Sequence, residues 1–222
     1  MDRIIIFGVN MFSSVVYQTM MKEGKGEVLG FTLNKQYIEC DNFEGLPVIP
    51  YEELSSRFDM AQIKIAITIG YSDMNKNREA VYNMCKASGY SIYTYVSEKA
   101  LVYSDNIGEG SILLPVSFIG PHVSIGKCCI IWNQVCIPHH SIVGDFTHIA
   151  GGTIVGGGAN IGSYCFIGMN SSIKNGIDIG DNTFIGANSY MSESTDGGLG
   201  FYGSPAKNPK GVSSEIMMQF LQ

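Results

Sequence analysis

The sequence is poor in features that would narrow its function by themselves. Charged residues make up 15% of the 222, and Lys and Arg together number 14 against 20 Asp and Glu, for a net charge of -6. Without a basic cluster the electrostatic footprint of a nucleic-acid binder is missing, so a polyanionic partner is not expected. The six cysteines, Cys40, Cys85, Cys128, Cys129, Cys136 and Cys165, form no C-x-x-C pair. That spacing would be needed for a zinc or dithiol motif, and its absence leaves them reading as small apolar residues in a reducing compartment. No apolar run approaches the roughly 18 residues of a membrane span, and the run in "MDRIIIFG" is too short for a signal peptide. A soluble, cytoplasmic protein with no membrane partner is the expectation. A G-x-G-x-x-G loop is also missing, since the first strand is followed by "GVNMFS", which disfavours a dinucleotide lying across the first helix.

Glycine, by contrast, is abundant, with 27 residues lying mostly beyond residue 105. This imbalance predicts two architectures in one chain. In the N-terminal part "RIIIF" (3–7) reads as a buried strand and "MFSSVVYQTMMKEG" as a helix. "EVLGFTL" (27–33) is a second strand, "YEELSSRF" a helix, "IKIAITIGY" (63–71) a strand, "MNKNREAVYNMCKASG" (74–89) a helix ending at Gly89, and "YSIYTYV" a closing strand. Strands alternating with helices predict a small Rossmann-like domain with a parallel sheet. Ligands of such sheets bind beyond the carboxyl ends of the strands, here "GVNMFS" (8–13), "LNKQY" (33–37) and "GYSDMNKNR" (70–78). Lys35, Lys76 and Arg78 in these loops are placed to meet a phosphate, or else are ordinary solvated charges. Ser72 and Asp73 precede the third helix and are placed to cap it.

From Leu101 an aliphatic residue recurs every six positions: Leu101, Ile107, Leu113, Ile119, Ile125, Ile131, Ile137, Val143, Ile149, Val155, Ile161, Ile167, Ile173, Ile179 and Ile185, ending at Met191. Four residues after each, from Ser111 to Ser189, stands Ser, Val, Cys, Thr or Ala, with Ile177 the one larger exception. A period of six suits neither a helix nor an alternating strand. It suits short strands joined by tight corners, with two positions per hexad pointing inward. Three hexads make one triangular coil, and about five coils stacked at the ~4.8 Å strand spacing give a prism roughly 24 Å tall.

Residues 18 apart therefore stack. His122 lies in column with His140 and Gly158, and Pro121 with His139 and Gly157. Because Ile137 and Ser141 take the inward phases of that hexad, His139 and His140 belong on or near a corner, facing out. The coil above presents three glycines at 156–158, bare backbone beside an imidazole. A base of near-neutral pKa next to an amide N–H is what acyl transfer to an amine or hydroxyl needs. The other reading of the pair is that it packs a seam between subunits.

The hexads resemble those of the hexapeptide-repeat, left-handed parallel β-helix acyltransferases. With the sheet domain, "FEGLPVIPYEEL" (43–54), "HHSIVGDFTHIAGG" (139–152) and "GSPAK" (203–207), almost the whole chain resembles the bacterial nucleotide-sugar acetyltransferases, of sialic acid O-acetyltransferase and UDP-4-amino-sugar N-acetyltransferase type. The resemblance implies a nucleotide-sugar-binding domain over 1–98, an acyltransferase β-helix over 99–203 and a tail over 204–222. It implies a cytoplasmic homotrimer with active sites at subunit interfaces, serving glycan or surface-polysaccharide synthesis. Acetyl-CoA would be the acyl donor, with no metal, and the acceptor an amino group on a nucleotide-linked deoxysugar. A sugar hydroxyl acceptor or another acyl group is the near alternative.

By position the resemblance makes His139 the general base, Gly157 the oxyanion donor, and His148, Ala206 and Lys207 contacts of CoA. Asn10, Asn34, Lys35 and Ser72 become candidate substrate contacts. The family commonly has a carboxylate after the base histidine, whereas this chain has His140, leaving Asp145 or a carbonyl to orient His139. The first loop and the "LNK" after the second strand also depart from the family, which puts the nucleotide in question. Two further readings stay open on the same scaffold. A zinc carbonic anhydrase would need three separated histidines converging on a metal, which the adjacent pair His139 and His140 does not supply. A non-catalytic assembly module would bind no CoA.

Overall fold

The computed structural model describes residues 1–204 and 211–219, and its contacts divide the chain into two compact units. The first comprises residues 1–70 and 80–94, the second residues 71–79 and 95 onward. The segment 71–79, which the sequence reading assigns to the N-terminal domain, thus has its contacts with the second unit.

In the first unit the order is β1 (Arg3–Phe7), α1 (Met11–Glu23), β2 (Glu27–Leu33), β3 (Asn42–Phe43), β4 (Leu46–Pro50), α2 (Leu54–Arg57), β5 (Lys64–Ile67), α3 (Lys76–Ala87) and β6 (Ser91–Ile92), with the first turn of α3 in the second unit. They build one sheet in the order β3-β4-β2-β1-β5-β6, parallel except for the β3–β4 pair. A central parallel strand is covered on both faces and so reads as a continuous apolar run. Ile4, Ile5 and Ile6 in β1 are completely buried. Asn10 caps α1 by accepting from the Ser13 N–H, and Gly24 closes it with φ 63°, a left-handed cap that glycine takes without a side-chain penalty. The short β3 and β4 were not anticipated. The two prolines of β4 obscure its pattern, and β4 pairs through its last three residues, from Val48 to Pro50, with β2.

The second unit is a three-sided parallel β-helix. Its walls are three sheets of two-residue strands, and from Ile107 to Ile173 each strand pairs with the one 18 residues on, as in Ser124↔Ile142, His148↔Phe166 and Ile154↔Ser172. The aliphatic residue of each hexad points in, and together they form one continuous core. At the ends the repeat slips. Leu101 pairs with Phe118 and Val102 with Ile119, a spacing of 17, so Val102 takes the inward place and Leu101 is 59% exposed. The column also continues past the predicted hexads. Tyr95–Val96 pairs with Ile112–Leu113, so the segment read as one closing strand of the sheet is divided, its second half belonging to the β-helix. Gly200–Phe201 pairs with Phe184–Ile185 at the far end.

From Val116 to Asn188 every corner turns on a left-handed residue. Val116, His122, Cys128, Gln134, His140, Phe146, Gly152, Gly158, Tyr164, Asn170, Gly176, Asn182 and Asn188 all have φ between 50° and 74°. Most carry side chains, at a cost of about 1–2 kcal/mol each that the stacked ladder must offset. Elsewhere glycine is there because coils approach closely. A Cβ at Gly144 would meet the Ser163 nitrogen at 2.5 Å, and one at Gly126 the Asp145 nitrogen at 2.6 Å. The small residue of the hexad then hydrogen-bonds the carbonyl exposed by the next glycine. Ser141 Oγ donates to Gly156 O at 3.1 Å, Thr147 Oγ1 to Gly162 O at 2.7 Å, and the Cys129 thiol serves Gly144 O in the same way. Serine, threonine and cysteine are interchangeable there because each is small and can donate one hydrogen bond.

Candidate active site

His139 and His140 lie on the corner between the strands Cys136–Ile137 and Ile142–Val143, and both are exposed. His140 is the residue that turns, with φ 58°. Its ring stands 4.7 Å from that of His122, one coil earlier in the column. The Nδ1 atoms of His139 and His140 are 3.2 Å apart, within hydrogen-bond reach, so one ring donates and the other accepts. The partner that orients His139 is therefore its neighbour. Asp145, suggested from sequence, is instead taken up by the Lys127 N–H at 2.9 Å and the Lys127 ammonium at 3.3 Å.

The opposite side of His139 is packed on Gly157. A Cβ placed on Gly157 would fall 2.6 Å from Cε1 and 2.8 Å from Nε2 of the imidazole. The three glycines are not equivalent. The Gly156 N–H donates to Ile173 O and the Gly158 N–H to His139 O, while the Gly157 N–H bonds no backbone carbonyl among the described residues. A ring nitrogen and a free backbone donor thus stand side by side.

His148 is on the third wall, not at this corner, in the strand His148–Ile149. It points out of the β-helix core but is only 3% exposed, stacked on Phe166 at 5.3 Å and met edge-on by Tyr71 at 5.2 Å. Burial first, and then the charge of Arg78, hold its pKa well below the ordinary histidine value. The Trp132 indole donates to its Nε2 at 2.9 Å. Beside it opens a cavity of about 530 Å³, lined by the large side chains of Tyr71, Trp132, Phe166 and Met169, by the amides of residues 133, 134 and 170, and by small residues. The sequence reading missed this cavity, although its signal was available. Trp132, Ala150 and Gly168 are 18 apart in one column, so a large side chain is followed by two small ones and a hollow is left above the indole.

Of the substrate candidates, Asn10 has both ends of its amide occupied, by Ser13 N at 3.0 Å and Thr68 O at 3.3 Å. Asn34 and Lys35 come together beside Glu52, whose carboxylate lies 3.5 Å from Asn34 Nδ2 and 3.0 Å from the Lys35 N–H. The Lys35 ammonium is 74% exposed, 3.7 Å from Glu53. A small cavity of about 100 Å³ lies past the ends of β1 and β2, lined by Val9, Leu33 and Tyr37 among others. Ser72 is exposed in the turn before α3. Ala206 and Lys207 lie outside the described residues.

Arg78 is no phosphate ligand. It is 1% exposed, and its guanidinium donates to Cys128 O at 2.8 Å, Phe146 O at 2.6 Å and Asn75 Oδ1 at 3.0 Å. Asn75 in turn donates to Cys165 O at 3.1 Å. The segment 71–79 is thereby riveted to carbonyls at the corners of the coils, a use of arginine that sequence alone does not distinguish from anion binding. Among the described residues no group of three or more His, Cys, Asp or Glu is set to share a metal ion. No helix there is long and apolar enough to cross a membrane.

Residues 158–192 match the family described as bacterial transferase hexapeptide (six repeats). Over 94% of the chain the structure superposes on the acetyltransferase domain of PglB from Neisseria gonorrhoeae FA1090, covering all of that domain, with a TM-score of 0.84 at 20% identity. PerB from Caulobacter crescentus, solved with CoA and GDP-perosamine, gives 0.83 at 21% identity over 94% of this chain and 97% of that one. WeeI from Acinetobacter baumannii AYE gives 0.63 at 18% identity over 94% of this chain and all of that one. The fold is thus the one expected from sequence, a Rossmann-like domain followed by a left-handed parallel β-helix.

Proposed function

We propose that this protein is an acetyl-CoA-dependent N-acetyltransferase acting on a nucleotide-linked amino deoxysugar, with His139 as general base. The observation that carries this reading is the pairing of the His139 imidazole with the unengaged N–H of Gly157. A proton acceptor and an oxyanion donor at one point are the two parts that acyl transfer requires. The structural neighbours support the substrates. The PglB domain is also solved with acetyl coenzyme A, and PerB with CoA and GDP-perosamine.

In the proposed reaction the acceptor amine attacks the thioester carbonyl carbon, and its N–H proton passes to Nε2 of His139. The carbonyl oxygen, now an oxyanion, is held by the Gly157 N–H. Collapse of the tetrahedral intermediate re-forms the carbonyl and breaks the C–S bond, and His139 returns its proton to the departing thiolate. Direct transfer needs no acyl-enzyme. His140 serves in place of a carboxylate. If His139 donates its Nδ1–H to Nδ1 of His140, the Nε2 lone pair of His139 is left for the acceptor.

The cavity beside His148 is the proposed seat of the CoA arm, its apolar walls and one buried imidazole suiting a pantetheine chain. It lies on a different wall from His139, so a second copy of the chain would complete the site, in a homotrimer. Ile142 and Ile154, 50% and 54% exposed on the two walls flanking the His139 corner, offer apolar surface for that contact. The sheet domain would hold the nucleotide, with Asn34 and Lys35 as contacts, and the tail residues Ala206 and Lys207 would reach CoA. Product would enter cytoplasmic glycan or surface-polysaccharide synthesis.

The test follows thiol release from acetyl-CoA against UDP-, dTDP- and GDP-linked amino sugars and their hydroxyl counterparts, with His139→Ala as the blank. Release with an amino sugar that the substitution abolishes is the expected result. Release only with a hydroxyl acceptor would replace the amine, and undiminished turnover in the variant would remove His139 as the base.

A further inference from the structure

The chain contains a single tryptophan, Trp132. Its indole Nε1 donates to Nε2 of His148 at 2.9 Å. An indole N–H can only donate, so Nε2 of His148 must offer a lone pair and the ring's one proton must sit on Nδ1. That Nδ1 is buried and has no hydrogen-bond partner among the described residues. Leaving such a donor unmet forfeits its hydration without return, which points to a group held ready for something absent from the polypeptide. The aromatic neighbours do not explain it. Phe166 and Tyr71 fix the plane of the imidazole from two sides, but neither ring discriminates between its two nitrogens. Only the indole does so. The same imidazole and the same indole line the cavity of about 530 Å³, whose other walls are largely apolar.

We propose that Trp132 is a positioning residue: its N–H locks His148 in the Nδ1–H tautomer, so that the buried imidazole presents one donor to a carbonyl oxygen of the ligand in this cavity. The acceptor fits an amide or thioester carbonyl, a neutral oxygen that gains from a fixed donor and needs no charge opposite it. The proposal rests on the reading of the cavity as the seat of the acyl-CoA arm. Burial keeps the ring neutral, as the lowered pKa of His148 reflects. A charged ring would carry a second proton aimed at the indole N–H.

The experiment replaces Trp132 by benzothienylalanine, which exchanges the indole N–H for sulfur and keeps the bicyclic shape. As the chain has one tryptophan, global incorporation alters this position alone. Two-bond ¹H–¹⁵N spectra of histidine-labelled protein then read the tautomer of His148, assigned by its loss in His148→Gln, and calorimetry reads the affinity for CoA and acetyl-CoA. The expected result is an Nδ1–H signature in the wild type that is lost in the substituted protein, with affinity falling about tenfold. Trp132→Phe should behave alike, and retained near-UV circular dichroism and melting in the isostere exclude unfolding as the cause. An unchanged His148 spectrum and unchanged affinity in a protein that binds CoA would overturn the role of Trp132 alone. A wild type that binds neither CoA nor acetyl-CoA would overturn the reading of the cavity, and this proposal with it.

Discussion

The imidazole of His139 rests against the α-carbon of Gly157 so closely that a methyl group there would come within 2.6 Å of Cε1. Glycine at 157 is required by the ring beside it, since its backbone conformation is not in the left-handed region. Gly157→Ala should therefore displace the imidazole proposed as the base while leaving the coil intact. A shift of about 1 Å in a reacting group costs on the order of 10²-fold in rate. Steady-state kinetics and a thermal melt on the same sample check this, with kcat expected to fall and Tm to change little.

His139 is exposed and makes no contribution to the apolar core. Its substitution by alanine should spare folding and the affinity for CoA while lowering transfer by about 10²–10⁴-fold, the range of general-base catalysis. Thiol release and calorimetry with CoA separate the two effects.

Stability should depend on pH through His148. Its folded pKa lies well below the ordinary value because of burial and then the Arg78 charge. Sign follows from proton uptake: as pH falls below about 6.5 the unfolded chain binds a proton that the native chain refuses, so stability present at neutral pH is lost on acidification. Melts between pH 8 and 5 should show Tm dropping on the acid side, and His148→Gln should flatten that limb.

Arg78 should matter for stability. Removing its guanidinium in Arg78→Met leaves buried carbonyls at Cys128 and Phe146 without their donor. At about 1–3 kcal/mol for each such group, a loss of roughly 3 kcal/mol is expected from urea unfolding.

The cysteines should divide by depth. Burial pushes the thiols of Cys85, Cys128, Cys129 and Cys165 up to about 12, while Cys40 is exposed and unpaired. Ellman's reagent on the native protein should titrate Cys40 rapidly, Cys136 slowly and the other four only after unfolding.

Much of the fold was legible because its two periodicities are local. The run Ile4 to Ile6 announces a strand covered on both faces, and the six-step aliphatic beat from Ile107 to Met191 announces coils of 18. Stacking by 18 then placed His139 over Gly157 without any coordinates. The ends of the column were not legible. A spacing of 17 at Leu101 moves the inward place to Val102, and only the pairing with Ile119 reveals it.

Side-chain partners were illegible for a different reason. Arg78, Asn75 and Trp132 take their meaning from residues 16 to 90 positions away, and a loop arginine that will be buried under carbonyls looks like one that will meet a phosphate. By itself the sequence determined the architecture and the juxtaposition of the His139 imidazole and bare backbone, because a strict repeat converts position into height and face. Tertiary structure alone decided the hydrogen-bond partners of polar groups far apart in the chain: corner carbonyls for Arg78, an indole for His148. Those choices depend on where two distant segments meet to within a few tenths of an ångström, and no periodic pattern carries that distance.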